Sequence, residues 1–243
     1  MYMIILCVFI HSMALAAHHV SRTTDPGVVP FIQIQPGKTK SRYVCEKTKS
    51  LKPIGSHYCS RVKRIVLRMD HFCPWTNNTV GIYTQKSYIL FVAYTFMSCV
   101  LAAVSISSRF LSCRRSRLRR VFNANNQARY EFKPWCRNVS SVDLICCVLA
   151  LVLVLIFAMF TACMLWDQFR ALYDNTPYID RLQGRRGRKQ LLTTTLRLVL
   201  GESFTWRWFL PLSPTLELRH RFASFVKDSK ECSLSSIINI KSE

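Results

Sequence analysis

Acidic residues are scarce in this sequence of 243 residues. It has 13 Asp and Glu residues against 34 Lys and Arg residues, which gives a formal net charge of +21, yet half of the residues are hydrophobic. A soluble domain with such an imbalance does not usually carry long apolar runs. The sequence instead separates its charges and its apolar residues into different blocks. This pattern argues against a soluble domain and indicates a membrane protein.

Charge is almost missing from two long runs. Residues 88–107 contain no charged side chain, and residues 141–166 contain a single one, Asp143. Because a hydrocarbon core is crossed by about 20 apolar residues in a helix, both runs are predicted to be transmembrane helices. Trp166 ends the second run, where aromatic side chains favour the membrane interface.

The first apolar run, residues 2–17, is short and has no basic residue before it. Two interpretations compete for it. Ala14-Leu15-Ala16 resembles the small-residue cleavage site of a signal peptide, but such peptides begin with positive charge. The run also fits a partial transmembrane helix, and we favour this second interpretation because of a motif described below.

The basic residues lie between these runs, and the sequence has no internal repeat or low-complexity tract. All 34 Lys and Arg residues fall in residues 18–87, 108–140 and 167–243. Basic residues beside transmembrane helices attract anionic lipid, so membrane lipid is the expected partner. No motif supports binding to nucleic acid. The charge bias does not determine topology, because the basic cluster 114–120 opposes the other two regions.

The chemistry of the chain is concentrated in Asp70, His71 and Cys73. A thiol acts as a nucleophile only as thiolate, and its free pKa is about 8.5. A neighbouring His can take the thiol proton, and an Asp can orient that His. Pro74 and Trp75 directly follow Cys73 in the sequence. The predicted transmembrane helix 88–107 begins shortly after them. The stretch predicts an activated cysteine at a membrane surface.

The segment Cys45–Gly81 closely resembles the cysteine-rich domain of the DHHC protein S-acyltransferases, which are palmitoyltransferases. Three further segments resemble the family's DPG, T-T-x-E and G…W-F-L-P motifs in the family's order: Asp25-Pro26-Gly27, Asn175–Asp180, and Gly201 with Trp208-Phe209-Leu210-Pro211. The first of these follows a transmembrane helix in the family, which is why residues 2–17 are interpreted as one.

The three apolar runs and the resemblance together indicate an all-α integral membrane protein with three transmembrane helices and a small cytosolic domain between the first two. Family members usually have four such helices, so the first one appears to be missing and the chain is expected to be a fragment or a reduced member. The expected order is a partial helix at 2–17, a cytosolic DHHC-type domain at 18–87 with its core at 43–83, a helix at 88–107, a basic lumenal loop at 108–140, a helix at 141–166 and a cytosolic tail at 167–243. The expected location is the Golgi, the endoplasmic reticulum or the plasma membrane.

The resemblance also implies an activity, protein S-palmitoylation with acyl-CoA as co-substrate. Cys73 is then the nucleophile that forms the acyl-enzyme, His71 its general base and Asp70 the residue that orients His71. The expected acceptors are proteins with cysteines near the membrane. The residues expected to support the site are Pro74, Trp75, Asn78, Asn175 and Asp180, and those expected to meet the CoA phosphates are Lys63, Arg64 and Arg68.

The sequence departs from the family at the zinc ligands. The family's domain holds two structural zinc ions on eight ligands, and this chain keeps only Cys45 and Cys59. The other six positions hold Thr48, Tyr58, Val62, Ile65, Phe72 and Thr79. A structural zinc needs four ligands, so neither family site is expected to form. One improvised zinc on Cys45, His57 and Cys59 is the alternative.

Four of the replacements, Tyr58, Val62, Ile65 and Phe72, are largely apolar. Full burial of such a side chain contributes about 1.5–3 kcal/mol, so we hypothesise that hydrophobic packing compensates for the lost metal. Phe72 replaces a His that binds zinc in the family, which removes metal support and spares His71. A catalytically inactive scaffold or interaction protein is the competing function. Loss of zinc ligands favours the scaffold, whereas retention of Asp70, His71 and Cys73 favours the enzyme.

Overall fold

Three long helices dominate the computed structural model, which describes residues 2–31, 44–53, 55–117, 120–122, 128–130, 140–185, 191–201 and 204–212. They are α1 (Tyr2–Thr23), α2 (Gln85–Arg117) and α3 (Ser141–Tyr173). Each contains a segment long and apolar enough to cross a membrane by length and composition: Tyr2–Thr23, Gln85–Ser112 and Ser141–Tyr173. The prediction of three transmembrane helices is confirmed, and the chain is a multi-pass membrane protein.

All three helices extend beyond the predicted runs, because each continues into polar residues that lie next to its apolar part. Apolar side chains of α3 such as Val148, Leu153 and Met159 remain exposed. A helix that is apolar all round suits a lipid environment, where exposed apolar surface carries no penalty.

The chain divides into two compact units, and the first contains Met1–His11 and Ala93–Met164. It consists of apolar helix and of a short hairpin in the predicted loop 108–140. In that hairpin β5 (Arg120–Phe122) pairs antiparallel with β6 (Ala128–Tyr130). Residues 131–139 of the predicted loop lie outside the described residues.

The second unit, Ser12–Val92 with Leu165–Glu243, carries the predicted chemistry. Two antiparallel hairpins form its centre, which the sequence-based description as all-α did not include. One pairs β1 (Ser56–Cys59) with β2 (Arg64–Leu67), and the other pairs β3 (His71–Cys73) with β4 (Asn78–Val80). The second hairpin turns through Asn77, whose positive φ of 48° is tolerated better by Asn than by most residues.

The Asp25-Pro26-Gly27 motif joins the end of α1 to these hairpins. Asp25 Oδ1 accepts hydrogen bonds from the backbone N–H groups of Gly27 at 2.7 Å and Val28 at 2.8 Å, which forms a tight turn. The chain then runs beside β2, where the Leu67 N–H donates to the Gly27 carbonyl at 2.9 Å. Gly81 lies so close to the Pro26 carbonyl that a Cβ there would clash with it. Glycine is therefore required at the exit of β4.

Asn78 ties β4 to the C-terminal end of α1. Its Nδ2 group donates to the carbonyls of Ser21, Arg22 and Thr24 at 3.0, 3.2 and 2.9 Å. The last carbonyls of a helix have no partner within the helix, so this side chain satisfies groups that would otherwise need water. The predicted supporting residue Asn78 thus contacts the end of α1.

Three short helices follow α3: α4 (Tyr178–Leu182), α5 (Leu192–Leu200) and a 3-10 helix (Trp206–Phe209). The α5 helix buries Thr195 and Val199 on one face. Near the 3-10 helix, Lys86 Nζ donates to the Arg207 carbonyl at 2.8 Å. Residues 213–243 of the predicted tail lie outside the described residues.

Candidate active site

Strand β3 places its side chains alternately on two faces. Successive side chains of a strand point to opposite faces, so His71 and Cys73 share one face and Phe72 lies on the other. Asp70 immediately precedes the strand and is only 2% exposed. Its N–H donates to the Val80 carbonyl at 2.8 Å, which extends the pairing with β4 and holds Asp70 beside His71.

The three predicted catalytic residues lie together. His71 Nδ1 donates to Asp70 Oδ2 at 2.9 Å. An ionised carboxylate only accepts hydrogen bonds, so Nδ1 carries the hydrogen and Nε2 is left for Cys73. The His71 ring also packs edge-on against Tyr88 with the ring centroids 5.1 Å apart. The imidazole is therefore held from two sides.

The electrostatics of the pair favour a thiolate beside an imidazolium. Burial raises the pKa of Cys73, but interactions with His71 and with the Thr76 N–H outweigh it and lower that pKa below its usual value. Burial lowers the pKa of His71, but its hydrogen bonds with Asp70 and Cys73 outweigh burial and raise that pKa to about 9. Each group thus stabilises the charged form of the other.

Asp70 has two further partners that the sequence did not indicate. Gln168 Nε2, on α3, donates to Asp70 Oδ2 at 2.8 Å, and the Tyr178 N–H, at the start of α4, donates to Asp70 Oδ1 at 2.7 Å. With His71, these donors lower the pKa of Asp70 although its burial raises it. The carboxylate is thus kept ionised and fixed in orientation.

Gln168 is itself held in place. It is 4% exposed, and its Oε1 accepts a hydrogen bond from Gln85 Nε2, at the start of α2, at 3.4 Å. A line of hydrogen bonds therefore runs from α2 through α3 to Asp70 and His71. Two Gln residues 83 positions apart, inside mostly apolar helices, carry no motif that would have revealed this contact.

The predicted supporting residues Asn175 and Asp180 contact residues of the segment Cys45–Gly81. His57 Nε2, on β1, donates to Asp180 Oδ1 at 2.8 Å. Arg68 Nη1 donates to Asn175 Oδ1 at 2.8 Å. These two contacts attach the segment after α3 to β1 and to the end of β2, close to the point where the Tyr178 N–H meets Asp70.

The predicted residues Pro74 and Trp75 form the exposed turn after Cys73. The Trp75 side chain is 60% exposed. Its backbone carbonyl accepts a hydrogen bond from His18 Nε2 at 3.1 Å, and the His18 ring packs on Phe91 with centroids 5.2 Å apart. The turn is thus anchored to α1 through its backbone, while most of the Trp75 side chain stays exposed.

The three residues predicted to meet CoA phosphates differ in their surroundings. Lys63 and Arg64 are exposed at the turn of the β1–β2 hairpin. Arg68 is partly buried and already donates to Asn175. The first two side chains are therefore the more accessible to an anionic ligand.

The structure separates the three residues considered for an improvised zinc. Cys45 and Cys59 lie in different apolar clusters, and His57 donates to Asp180. Within the described residues, no group of three or more His, Cys, Asp and Glu side chains is placed to hold a metal ion. The side chains at the eight family positions include only two thiols and no imidazole, so they do not fit the family's zinc sites.

Comparison with known proteins places these features in context. A family model described as DHHC palmitoyltransferase matches residues 38–185. Palmitoyltransferase ZDHHC3 of Rattus norvegicus is 30% identical over 213 residues, covering 83% of this chain and 66% of that protein. The Homo sapiens protein of the same name is 30% identical over 217 residues with the same coverage. Palmitoyltransferase ZDHHC7 of Mus musculus is 29% identical over 211 residues, covering 82% of this chain and 63% of that protein. The chain spans just under two thirds of the length of these relatives.

Proposed function

Because this chain belongs to the DHHC palmitoyltransferase family, we propose that it is a protein-cysteine S-palmitoyltransferase that carries the acyl group on Cys73. The donor is a long-chain acyl-CoA, and the acceptor is a cysteine of a substrate protein near the membrane. The observation that carries the proposal is the hydrogen bond from His71 to a buried, ionised Asp70 beside a thiol whose pKa is lowered.

The first half-reaction forms the acyl-enzyme. The Cys73 thiolate attacks the thioester carbonyl carbon, and the bond from that carbon to the CoA sulfur breaks. The departing CoA thiolate takes the proton from His71 Nε2. The products are S-acyl-Cys73 and CoA thiol, with His71 neutral and still donating from Nδ1 to Asp70. Since thioester exchange changes little in bond energy, the site contributes mainly orientation and a usable thiolate.

The second half-reaction restores the site. Neutral His71 accepts the proton of the substrate thiol, and the resulting thiolate attacks the acyl carbon. The bond to Cys73 Sγ breaks and returns the thiolate, which again faces protonated His71. Asp70 stays ionised throughout and stabilises each imidazolium as it forms.

Residues outside the three central ones are proposed to bind the amphiphilic donor. The exposed indole of Trp75 supports contact with the fatty chain or with lipid at the membrane interface. Lys63 and Arg64 supply positive charge for the CoA phosphates. Arg68 is a weaker candidate, because its guanidinium is engaged by Asn175. In this arrangement residues 18–87 and 167–243 are cytosolic, where acyl-CoA is available, and residues 108–140 are lumenal.

The proposal is tested by labelling the purified full chain in detergent or vesicles with an alkyne-tagged palmitoyl-CoA. We expect one hydroxylamine-sensitive label that is absent in Cys73→Ala and unchanged in the control Cys163→Ala, whose exposed thiol lies on α3. A folded wild-type chain without label would support the inactive scaffold instead. Retention of the label in Cys73→Ala would show that the assigned nucleophile is wrong.

A further inference from the structure

Seven of the eight positions that bind zinc in the family lie in or against two separate apolar clusters, and Thr48 is the eighth. The first contains buried Cys45, Val29, Ile65, Leu67 and Ile82, with Tyr58 and Tyr83 packed against it. Three of its members, Cys45, Tyr58 and Ile65, stand at family ligand positions. They come from the turn before β1, from β1 and from β2, so this cluster joins the three segments that a metal at those positions would join.

A second cluster forms around Cys59. Buried Cys59, Val66 and Met69 are packed by Val28, Val62, Phe72 and Ile179. The fully buried Thr79 hydroxyl donates to Cys59 Sγ at 3.4 Å. Cys59, Val62, Phe72 and Thr79 thus converge, and all four stand at family ligand positions. They come from both hairpins, so this cluster holds β1–β2 against β3–β4.

A cation lies over one aromatic ring of each cluster. Lys47 Nζ lies 5.4 Å from the centroid of the Tyr58 ring, and the Arg61 guanidinium lies 5.9 Å from that of Phe72. A cation over a ring face is attracted by the ring quadrupole, so both cations stabilise the aromatic packing. The replacements in the two clusters therefore form packed apolar units.

We infer that this domain folds and holds its active site without zinc, because the two clusters make the cross-links that zinc makes in the family. The inference concerns the source of stability and does not depend on the proposed activity. Metal content and thermal unfolding test it whether or not the chain transfers an acyl group.

The first experiment uses the full chain purified without added metal. We expect zinc far below one ion per chain by elemental analysis, and the same unfolding temperature with and without a strong zinc chelator. Stoichiometric zinc, or a fall in the unfolding temperature on chelation, would overturn the inference. The conservative variant Cys45→Val adds a second readout. It removes a thiol but keeps an apolar side chain, so it should unfold at the wild-type temperature, whereas loss of a metal ligand would lower that temperature strongly.

A matched gain-of-metal variant tests the second cluster directly. The triple substitution Val62→Cys, Phe72→His and Thr79→Cys joins Cys59 to make a set of three Cys and one His, as a structural zinc requires. We expect this variant to retain one zinc per chain and to lose stability on chelation. A folded triple variant that binds no zinc would contradict the convergence of these four positions. If the triple variant does not fold, the wild-type and Cys45→Val measurements still decide the question.

Discussion

The two faces of β3 differ in how far their residues match the family. His71 and Cys73 share one face. His71 donates a hydrogen bond to Asp70 and also interacts with the Cys73 thiol. Phe72, between them, lies in the apolar cluster around Cys59 and replaces a metal ligand of the family. Alternate residues of a strand point to opposite faces. Replacement of a metal ligand by an apolar side chain at position 72 therefore does not alter the face that carries His71 and Cys73. The proposed catalytic residues and the packing residue therefore alternate along the three residues of β3.

The largest expected effect on this comparison comes from Asp70→Asn, which removes the carboxylate that holds His71. An amide can donate to Nδ1, so His71 would take the tautomer with hydrogen on Nε2 and lose the ability to accept a proton from a thiol. We expect acyl transfer to fall by on the order of 10⁴-fold, as for the same change in Ser-His-Asp enzymes. Steady-state transfer by purified protein measures it, and Asp167→Asn on α3 is the control. An effect below about tenfold would remove Asp70 from the mechanism.

The pH dependence of Cys73 acylation tests the role of His71. His71 has its pKa raised to about 9, so the proton needed by the departing CoA thiolate is lost as pH rises through that value. Acylation of Cys73 should therefore decline above about pH 9, by about tenfold per unit. The stability that His71 gains in the folded state is complete below about pH 6.5 and is likewise lost as pH rises through about 9. An acylation rate that stays constant to pH 10 would contradict the assigned role of His71.

Gln168→Leu tests whether the hydrogen bond from α3 to Asp70 contributes to catalysis. It removes a hydrogen bond to an ionised group, worth about 1.5 kcal/mol, so we expect about a tenfold loss in kcat. Because Asp70 is then less firmly held against His71, the alkaline limb of the pH profile should move to lower pH. A purely structural role would lower the unfolding temperature and leave that limb in place. Gln183→Leu, on the exposed surface after α4, is the control.

Phe72→Ala tests the supporting face and has the smallest expected effect on catalysis. Truncation of a partly buried aromatic side chain should lower the free energy of unfolding by about 2 kcal/mol. Acylation per folded molecule should stay near the wild-type rate, because His71 and Cys73 lie on the opposite face. Thermal unfolding and active-site labelling measure the two quantities separately, with Phe72→Leu as the milder variant. A loss of labelling without a loss of stability would show that the two faces are coupled.

Much of the architecture was predictable because its signals are local. An uncharged run such as 88–107 is enough to predict a helix in lipid, since its backbone groups are satisfied within the helix. Asp70, His71 and Cys73 were predictable as a group because they lie within four consecutive positions. The hairpins β1–β2 and β3–β4 were not predicted, because three- and four-residue strands leave too short a pattern.

Residues that act across long stretches of sequence could not be found this way. Gln168 reaches Asp70 over 98 positions, and the Tyr178 N–H reaches it over 108. The backbone group has no side-chain signature at all. Asp180 was predicted to support the site, and in the structure it accepts a hydrogen bond from His57, 123 positions away.

The sequence by itself determined the three membrane-crossing helices and the family, and it predicted the catalytic residues, because each depends on composition or on spacing over a short stretch of chain. Only the tertiary structure decided how Asp70 is held and how the former zinc positions are filled. Those outcomes depend on which side chains meet after the hairpins pack on the ends of α1, α2 and α3. Cys45 and Cys59 illustrate the difference, since they are identical in type and the surrounding packing places each in its own cluster.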